Sequence, residues 1–423
     1  MIHHTVIKRF FPILGILAGI FLASCNQNSI FYDISIEPDP KDPIIKGMPA
    51  NLVLLNNRIY TASLSSSTIW EYGNGSGRWT ETTLDPGGSI RGMAGAGNYL
   101  YVLIFTGQHP ETAQLKRINL QTLPADWTAP GAPWEDGGDW DTIDRKPAEP
   151  YYTRLQSLYS ANGHVFLGAQ RTGDERQYAI FYVDGDKLSQ PLKEDTALLL
   201  GAAWDGGSYY LATAGNGIFK ISGSPGSGIT GPVGVSSGTL NLNSETLLVM
   251  GIMDVGGKII AAAKNNYLFY LEGTEFKTIR TAGVNGLTGA MAVWTDPDGT
   301  GEKLLLLGAQ GNTTSLTHGY REVYLDLSDS SLPGGLGGVT IDSNNGYGTL
   351  SLSKPGVSAP SSVVVGETAK YDASIGTHPV LTILQVPSSV EPPPPGSDPL
   401  IFAGTSKNGL WSYRTEQWNA EEE

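Results

Sequence analysis

The stretch Leu400–Tyr413, LIFAGTSKNGLWSY, reads as a β-hairpin: an apolar strand from Leu400 to Ala403, a polar turn closing on Asn408-Gly409, and an aromatic strand carrying Leu410, Trp411 and Tyr413. Asn-Gly suits a tight turn because both residues accept the positive φ it demands. Working outward from this hairpin, the same pattern returns six more times. The copies begin at Ile59, Leu100, Val165, Tyr209, Ile259 and Leu304, with the opening stretch as the last. Their starts are separated by 41, 65, 44, 50, 45 and 96 residues.

Most copies follow a turn of Asn or Gly, as at Asn56-Asn57, Gly97-Asn98, Asn162-Gly163, Gly206-Gly207 and Gly256-Gly257, with a further apolar stretch before it. Several of those earlier stretches start with small residues, among them Gly92-Met93-Ala94, Gly201-Ala202-Ala203, Gly251-Ile252-Met253 and Gly289-Ala290-Met291. Small side chains suit strands crowded about a central axis. A period of roughly 40 to 50 residues is that of four-stranded blades. The expected fold is therefore an all-β propeller of seven four-stranded blades, with six or eight also compatible with the spacing.

Composition agrees with a turn-dense β fold. There are 54 glycines, charged residues make up only 16%, and no long segment has helical periodicity. The formal charge is −14, so a polyanionic partner such as nucleic acid is not expected. Neither basic-aromatic clusters nor phosphate-cradling glycine loops occur, and no cofactor is expected. The one cysteine, Cys25, excludes an intramolecular disulfide and a cysteine-rich metal site.

The chain opens with Lys8-Arg9 and an apolar run from Phe10 to Leu22, ending in Leu22-Ala23-Ser24-Cys25. A basic start, a short apolar core and small residues before a cut describe a secretory leader, too short for a membrane span. The last four of these residues resemble the bacterial lipobox. That resemblance implies cleavage before Cys25 and diacylglycerol modification of its thiol, hence a membrane partner and a place in the bacterial envelope, on its periplasmic face or at the cell surface. Each buried methylene of such an anchor contributes about 0.8 kcal/mol. The domain plan is then a leader at 1–24, a lipidated tether at 25–46 with a ring-closing strand at Ile30–Ile36, and a propeller from 47 to 423. Inserts fall near 121–150 and 330–376.

Leu400–Tyr413 and Tyr209–Ile221 (YYLATAGNGIFKI) resemble the repeats of β-propellers in bacterial sensor ectodomains, where an apolar strand, Gly-Thr, Asn-Gly and an aromatic strand recur. With its lipobox, the chain also resembles propeller lipoproteins of spirochaetes, over roughly Ala50 to Trp418. The resemblance implies a fold and not an activity, since propellers host enzymes, binders and scaffolds alike. No helical output domain follows, so a sensor-kinase role does not carry over.

Candidate binding residues lie in the first insert: Trp127, Trp134, Asp139, Trp140 and Asp141. Tryptophans among carboxylates suit stacking on a sugar or anchoring a partner, and the acids suit Ca²⁺. The alternative is a long loop whose tryptophans pack on the blade edges. In the second insert a strand, an irregular loop and an extra blade all remain open. The run Glu391 to Pro395 reads as a stiff loop between strands.

Catalytic signals are weak. Asp296, Asp298, Thr300 and Gly301 match half of a calcium loop, but the position of its bidentate acid is Leu307, inside an apolar strand. Gly234-Val235-Ser236-Ser237-Gly238 fits the serine-hydrolase pentapeptide without the strand and helix a nucleophile elbow needs. His109, His164, His318 and His378 are widely spaced. No catalytic residue and no metal site is assigned. Two functions are compatible: an envelope-anchored propeller that binds or scaffolds a protein, peptide or glycan, and an envelope glycan hydrolase or lyase with its residues at the channel mouth. Convergence of titratable groups at that mouth separates them.

Overall fold

A computed structural model describes residues 43–421 apart from 74–76, 108–112, 122–139, 149–150, 237–247, 256, 264–266, 282–285, 296–302, 311–319, 326–338, 342–347, 351–377, 394–398 and 415–416. The described strands pair into seven sheets in chain order. Sheet 1 runs Val53–Leu55, Arg58–Ala62, Ile69–Tyr72, Thr80–Glu81, each strand antiparallel to the next. Sheets 2, 4 and 7 repeat this four-stranded meander. Sheet 3 splits its outer strand in two, and sheet 5 adds three strands beyond its meander. Sheet 6 has three described strands, Leu287–Thr295, Lys303–Ala309 and Tyr320–Leu325.

Each repeated hairpin supplies the second and third strands of a sheet, and the small-residue stretch before it supplies the first. Hairpin turns between first and second strands use the expected residues: Asn56 and Asn57 have φ 51° and 57°, and Asn162 and Gly163 have 44° and 71°. Such primed turns match the right-handed twist of the strands they join. Thr213 and Thr405 end second strands in sheets 4 and 7, and each buried hydroxyl donates to a glycine carbonyl across the next turn, Gly217 at 2.8 Å and Gly409 at 3.0 Å. The recurring Thr and Asn-Gly thus close one turn geometry.

The first strands of successive sheets neighbour one another from sheet 1 through sheet 7. Sheet 7 meets sheet 1 where the Leu52 N–H donates to Thr382 Oγ1 at 3.4 Å. The core is divided accordingly. Seven apolar layers lie one between each pair of neighbouring sheets, for example Leu103, Val165 and Phe181 between sheets 2 and 3, and Ile401, Trp294 and Tyr413 between sheets 6 and 7. First strands arranged about an axis, with sheets packed face to face around it, define a propeller. The chain folds as a β-propeller.

Six sheets have four or more described strands and the sixth in order has three, so the expected seven four-stranded blades are not seen as such among the described residues. In the second insert, Gly348–Leu350 pairs parallel with Ile279–Thr281 and Val339–Ile341 pairs on its far side, so these segments extend sheet 5 outward.

Close approach at the axis explains the small residues. A side chain at Gly251 would collide with the Gly289 backbone, one at Gly289 with Met250, and one at Gly308 with the Val380 carbonyl. Each of the first strands in sheets 2 to 7 also shifts register by a bulge, as at Leu199/Gly201 and Val249/Gly251. Bulges raise local twist, which first strands need in order to fan away from the axis.

The outer strand of sheet 7 is Gln417–Ala420, paired with Leu410–Arg414, so the chain beyond Tyr413 suffices to complete it. Ile30–Ile36, expected to fill that place, lies outside the described residues. Residues 44–47 form the seam: the Ile44 N–H donates to Glu421 at 2.7 Å, and Gly409 and Leu410 donate to Gly47 and Ile45 at 2.8 and 3.2 Å. From the other side, the loop after Val380–Gln385 reaches sheet 1, where the Tyr72 hydroxyl donates to Glu391 and Val390 packs beside Tyr72, Trp79 and Phe402. Tyr72 and Phe402 meet edge to face with ring centroids 4.8 Å apart.

Candidate functional site

The first strands of all seven sheets enclose a cavity of about 450 Å³ on the axis, within the size range of small-molecule sites. In sheets 4 to 7 its wall falls at the bulged segments, and Asn51, Ser160, Thr288 and Thr382 are among the polar residues that line it. Asn51 on sheet 1 donates its amide to the Met93 carbonyl of sheet 2 at 3.3 Å and the Leu158 carbonyl of sheet 3 at 3.5 Å. Thr288 of sheet 6 donates to the Val380 carbonyl of sheet 7. These side chains tie neighbouring first strands together at the cavity wall. Leu52, Leu200 and Leu381 supply apolar surface. The described lining contains no Asp, Glu, His, Cys, Lys or Arg.

Such a wall offers hydrogen bonds and dispersion contact. It does not offer the carboxylate pair of glycoside hydrolysis or a base beside a nucleophile. Among the described residues no group of three or more His, Cys, Asp and Glu is placed to hold a metal ion. His164 and His378 lie in sheets 3 and 7 and are not brought together. His164 Nδ1 stands 2.8 Å from the Tyr209 hydroxyl, and His378 Nε2 stands 2.7 Å from the Asn408 amide. Ser236 sits in a short strand paired parallel with Phe276-Lys277, which is not the turn of a nucleophile elbow.

No family model matches the chain, and neither does any curated protein. Among solved structures it is similar to the WD40 β-propeller domain of Doa1, at 11% identity over 89% of this chain and 95% of that one, with a TM-score of 0.48. The structure of YCF48 bound to D1 peptide is similar at 13% identity over 90% and 97%, with a TM-score of 0.45. A computationally designed protein, Ika8, gives 10% identity, 88% and 99% coverage and a TM-score of 0.44. With likenesses this distant, the fold rests on the strand pairing itself.

Of the sequence-derived candidates, Trp140 is half-buried and packs against the layer between sheets 1 and 2. Asp141 begins the outer strand of sheet 2 and is exposed, its carboxylate 3.4 Å from Arg117 Nε. The Arg117 guanidinium lies 4.8 Å over the Tyr99 ring and donates to the Gly185 carbonyl at 2.6 Å, which links the rims of sheets 2 and 3. Trp127, Trp134, Asp139 and Cys25 lie outside the described residues, as does the half calcium loop at 296–301. Its counterpart position, Leu307, is buried in the second strand of sheet 6.

Sequence reading missed two sites. One is the axial cavity itself, whose polar side chains look unremarkable in separate strands. The other is a buried carboxyl: Glu71 faces Tyr60 across sheet 1, fully enclosed, with one oxygen 2.7 Å from Arg58 and the other without a hydrogen-bond partner. Burial pushes its pKa up to about 7 against the opposing pull of Arg58. An acid at an interior position of a third strand, with a basic residue two places from its cross-strand partner Tyr60, was its only signal.

Proposed function

We propose that the chain is a lipid-anchored propeller of the bacterial envelope that binds or scaffolds a protein, peptide or glycan. The observation that carries the binding half is the axial cavity. Every sheet contributes to it, and its described lining carries hydrogen-bonding and apolar groups, Tyr159 among them, without a carboxylate, an imidazole or an amine. Hydrolysis or elimination on a glycan requires acid and base groups at the reacting bond, so this wall favours holding over turnover.

The anchoring half rests on sequence alone, on Lys8-Arg9, the short apolar run and Leu22-Ala23-Ser24-Cys25. We also read the ring as seven-bladed, with sheet 6 as the sixth blade: its first strand lies between those of sheets 5 and 7, and apolar layers flank it on both sides. The first insert is a second candidate contact, in which Trp134 and Trp140 would anchor the partner.

Capture from envelope extract tests the reading. The mature chain should retain a partner that Trp134→Ala retains less well. Turnover of an envelope glycan without stable retention would defeat it.

A further inference from the structure

Away from the axis, the outer edge of sheet 3 opens a groove of about 480 Å³ against sheet 4. Its shape is set by an interrupted strand. Lys187–Leu188 and Lys193–Thr196 both pair with Asp174–Asp184, with Leu188 opposite Val183 and Lys193 opposite Ile180. The four residues between them leave the sheet. Ser189 fixes the departure: its N–H donates to the Tyr182 carbonyl at 2.9 Å, and its hydroxyl accepts from the Tyr182 N–H at 3.1 Å while donating to the Gln190 carbonyl at 2.7 Å. A side chain thus takes the bond that a straight strand would have made. The Leu192 N–H donates to Ile180 at 2.7 Å and ends the excursion.

The far wall is the turn Pro225–Ser227 of sheet 4, where Gly226 lies so near that an added Cβ would stand 3.3 Å from the Tyr182 hydroxyl. Tyr182 lines the groove between these walls, half-buried against the layer between sheets 3 and 4. Burial, and then the Asp184 carboxylate, hold its hydroxyl above the usual tyrosine range, so it stays a donor. Asp184, Lys187 and Gln190 stand exposed around it.

A sugar ring presents one apolar C–H face and a rim of hydroxyls that both donate and accept. A lining aromatic ring, that of Tyr182, answers the face. A carboxylate, an ammonium and an amide answer the rim with acceptor, donor and both. The side chains at the mouth balance in charge, one acid against one base, which suits an uncharged ligand. An extended peptide is a poorer match, because strand addition needs a continuous free edge and Ser189–Leu192 interrupt this one. We propose that this rim groove binds a neutral glycan segment about two sugar rings long. The inference names a partner class for the binding function proposed above and rests on it.

Titration of the folded chain with chitobiose, cellobiose and maltose, followed by saturation-transfer NMR, tests the site. At least one disaccharide should bind saturably. The exposed double substitution Asp184→Ala/Gln190→Ala should weaken that binding about tenfold or more. Tyr182→Ala should abolish it, and Tyr182→Phe should keep it because the ring remains. Absence of saturable binding to all three sugars would overturn the groove, as would a double variant that binds like the parent. If the chain binds none of them yet still captures envelope material, the groove falls and the binding function stands. If the disaccharide is cleaved, the binding function itself falls.

Discussion

The Gly409 N–H donates to the Gly47 carbonyl at 2.8 Å, tying the hairpin turn of the last sheet to the chain that leads into the first. Gly409 has φ 72°, and any Cβ there would lie inside the contact radius of the Ile45 carbonyl. Two requirements meet at one residue: a left-handed backbone and a close passage of the N-terminal segment. Gly409→Ala should cost about 2–4 kcal/mol in urea unfolding. Gly97→Ala is the control, since Gly97 has φ 58° with open space around it. It should cost only about 1 kcal/mol.

The loop side of the seam is tested by Tyr72→Phe, which removes the hydroxyl donated to Glu391 and keeps the ring against Trp79 and Phe402. A hydrogen bond to a charged group contributes about 1.5–3 kcal/mol. A loss near the low end is expected, because Glu391 is only half-buried and water can take the place of the lost donor. Phe402→Ala should cost more, about 3–5 kcal/mol, since Phe402 is fully buried between sheets 7 and 1. Chemical denaturation of both variants checks the order.

Much of this architecture was legible from residues 400–413 outward. Second and third strands appear as hairpins because both are apolar and turn chemistry separates them. First strands were recognisable from Gly92, Gly201, Gly251 and Gly289, of which the last three are crowded by the neighbouring first strand. The seam was not legible. Its bonds are between main-chain groups of residues 44–47 and 409–421, and main-chain bonds leave no side-chain trace in sequence. The rim groove was equally hidden, because Ser189 looks like any strand serine until its hydroxyl replaces a ladder bond.

Glu71 gives the fold a pH dependence with a definite sign. Its carboxyl is raised to about 7 in the folded chain from an ordinary 4.5. The protonated form is therefore the one the fold favours: stability is fully present below about pH 4.5 and is lost as pH rises through 7. The span corresponds to about 3 kcal/mol. The thermal midpoint should fall between pH 5 and 8, and Glu71→Gln should flatten that fall, leaving Arg58 to be hydrated at its partly exposed end. An unchanged pH profile in the variant would assign the dependence to other groups.

Lipid anchoring predicts a fractionation result. The parent chain expressed in bacteria should partition into detergent, with acyl mass on the peptide beginning at Cys25. Cys25→Ala should shift it to the aqueous phase. Equal partitioning of the two would remove the anchor.

The most direct test of a binding propeller without turnover is to incubate the mature chain with isolated envelope glycan and envelope protein, sediment or capture the complex, and assay new reducing ends and unsaturated sugar ends over time. The account predicts retention of an intact partner with no rise in either product. A steady rise in new ends, or no retention of any envelope component, would contradict it.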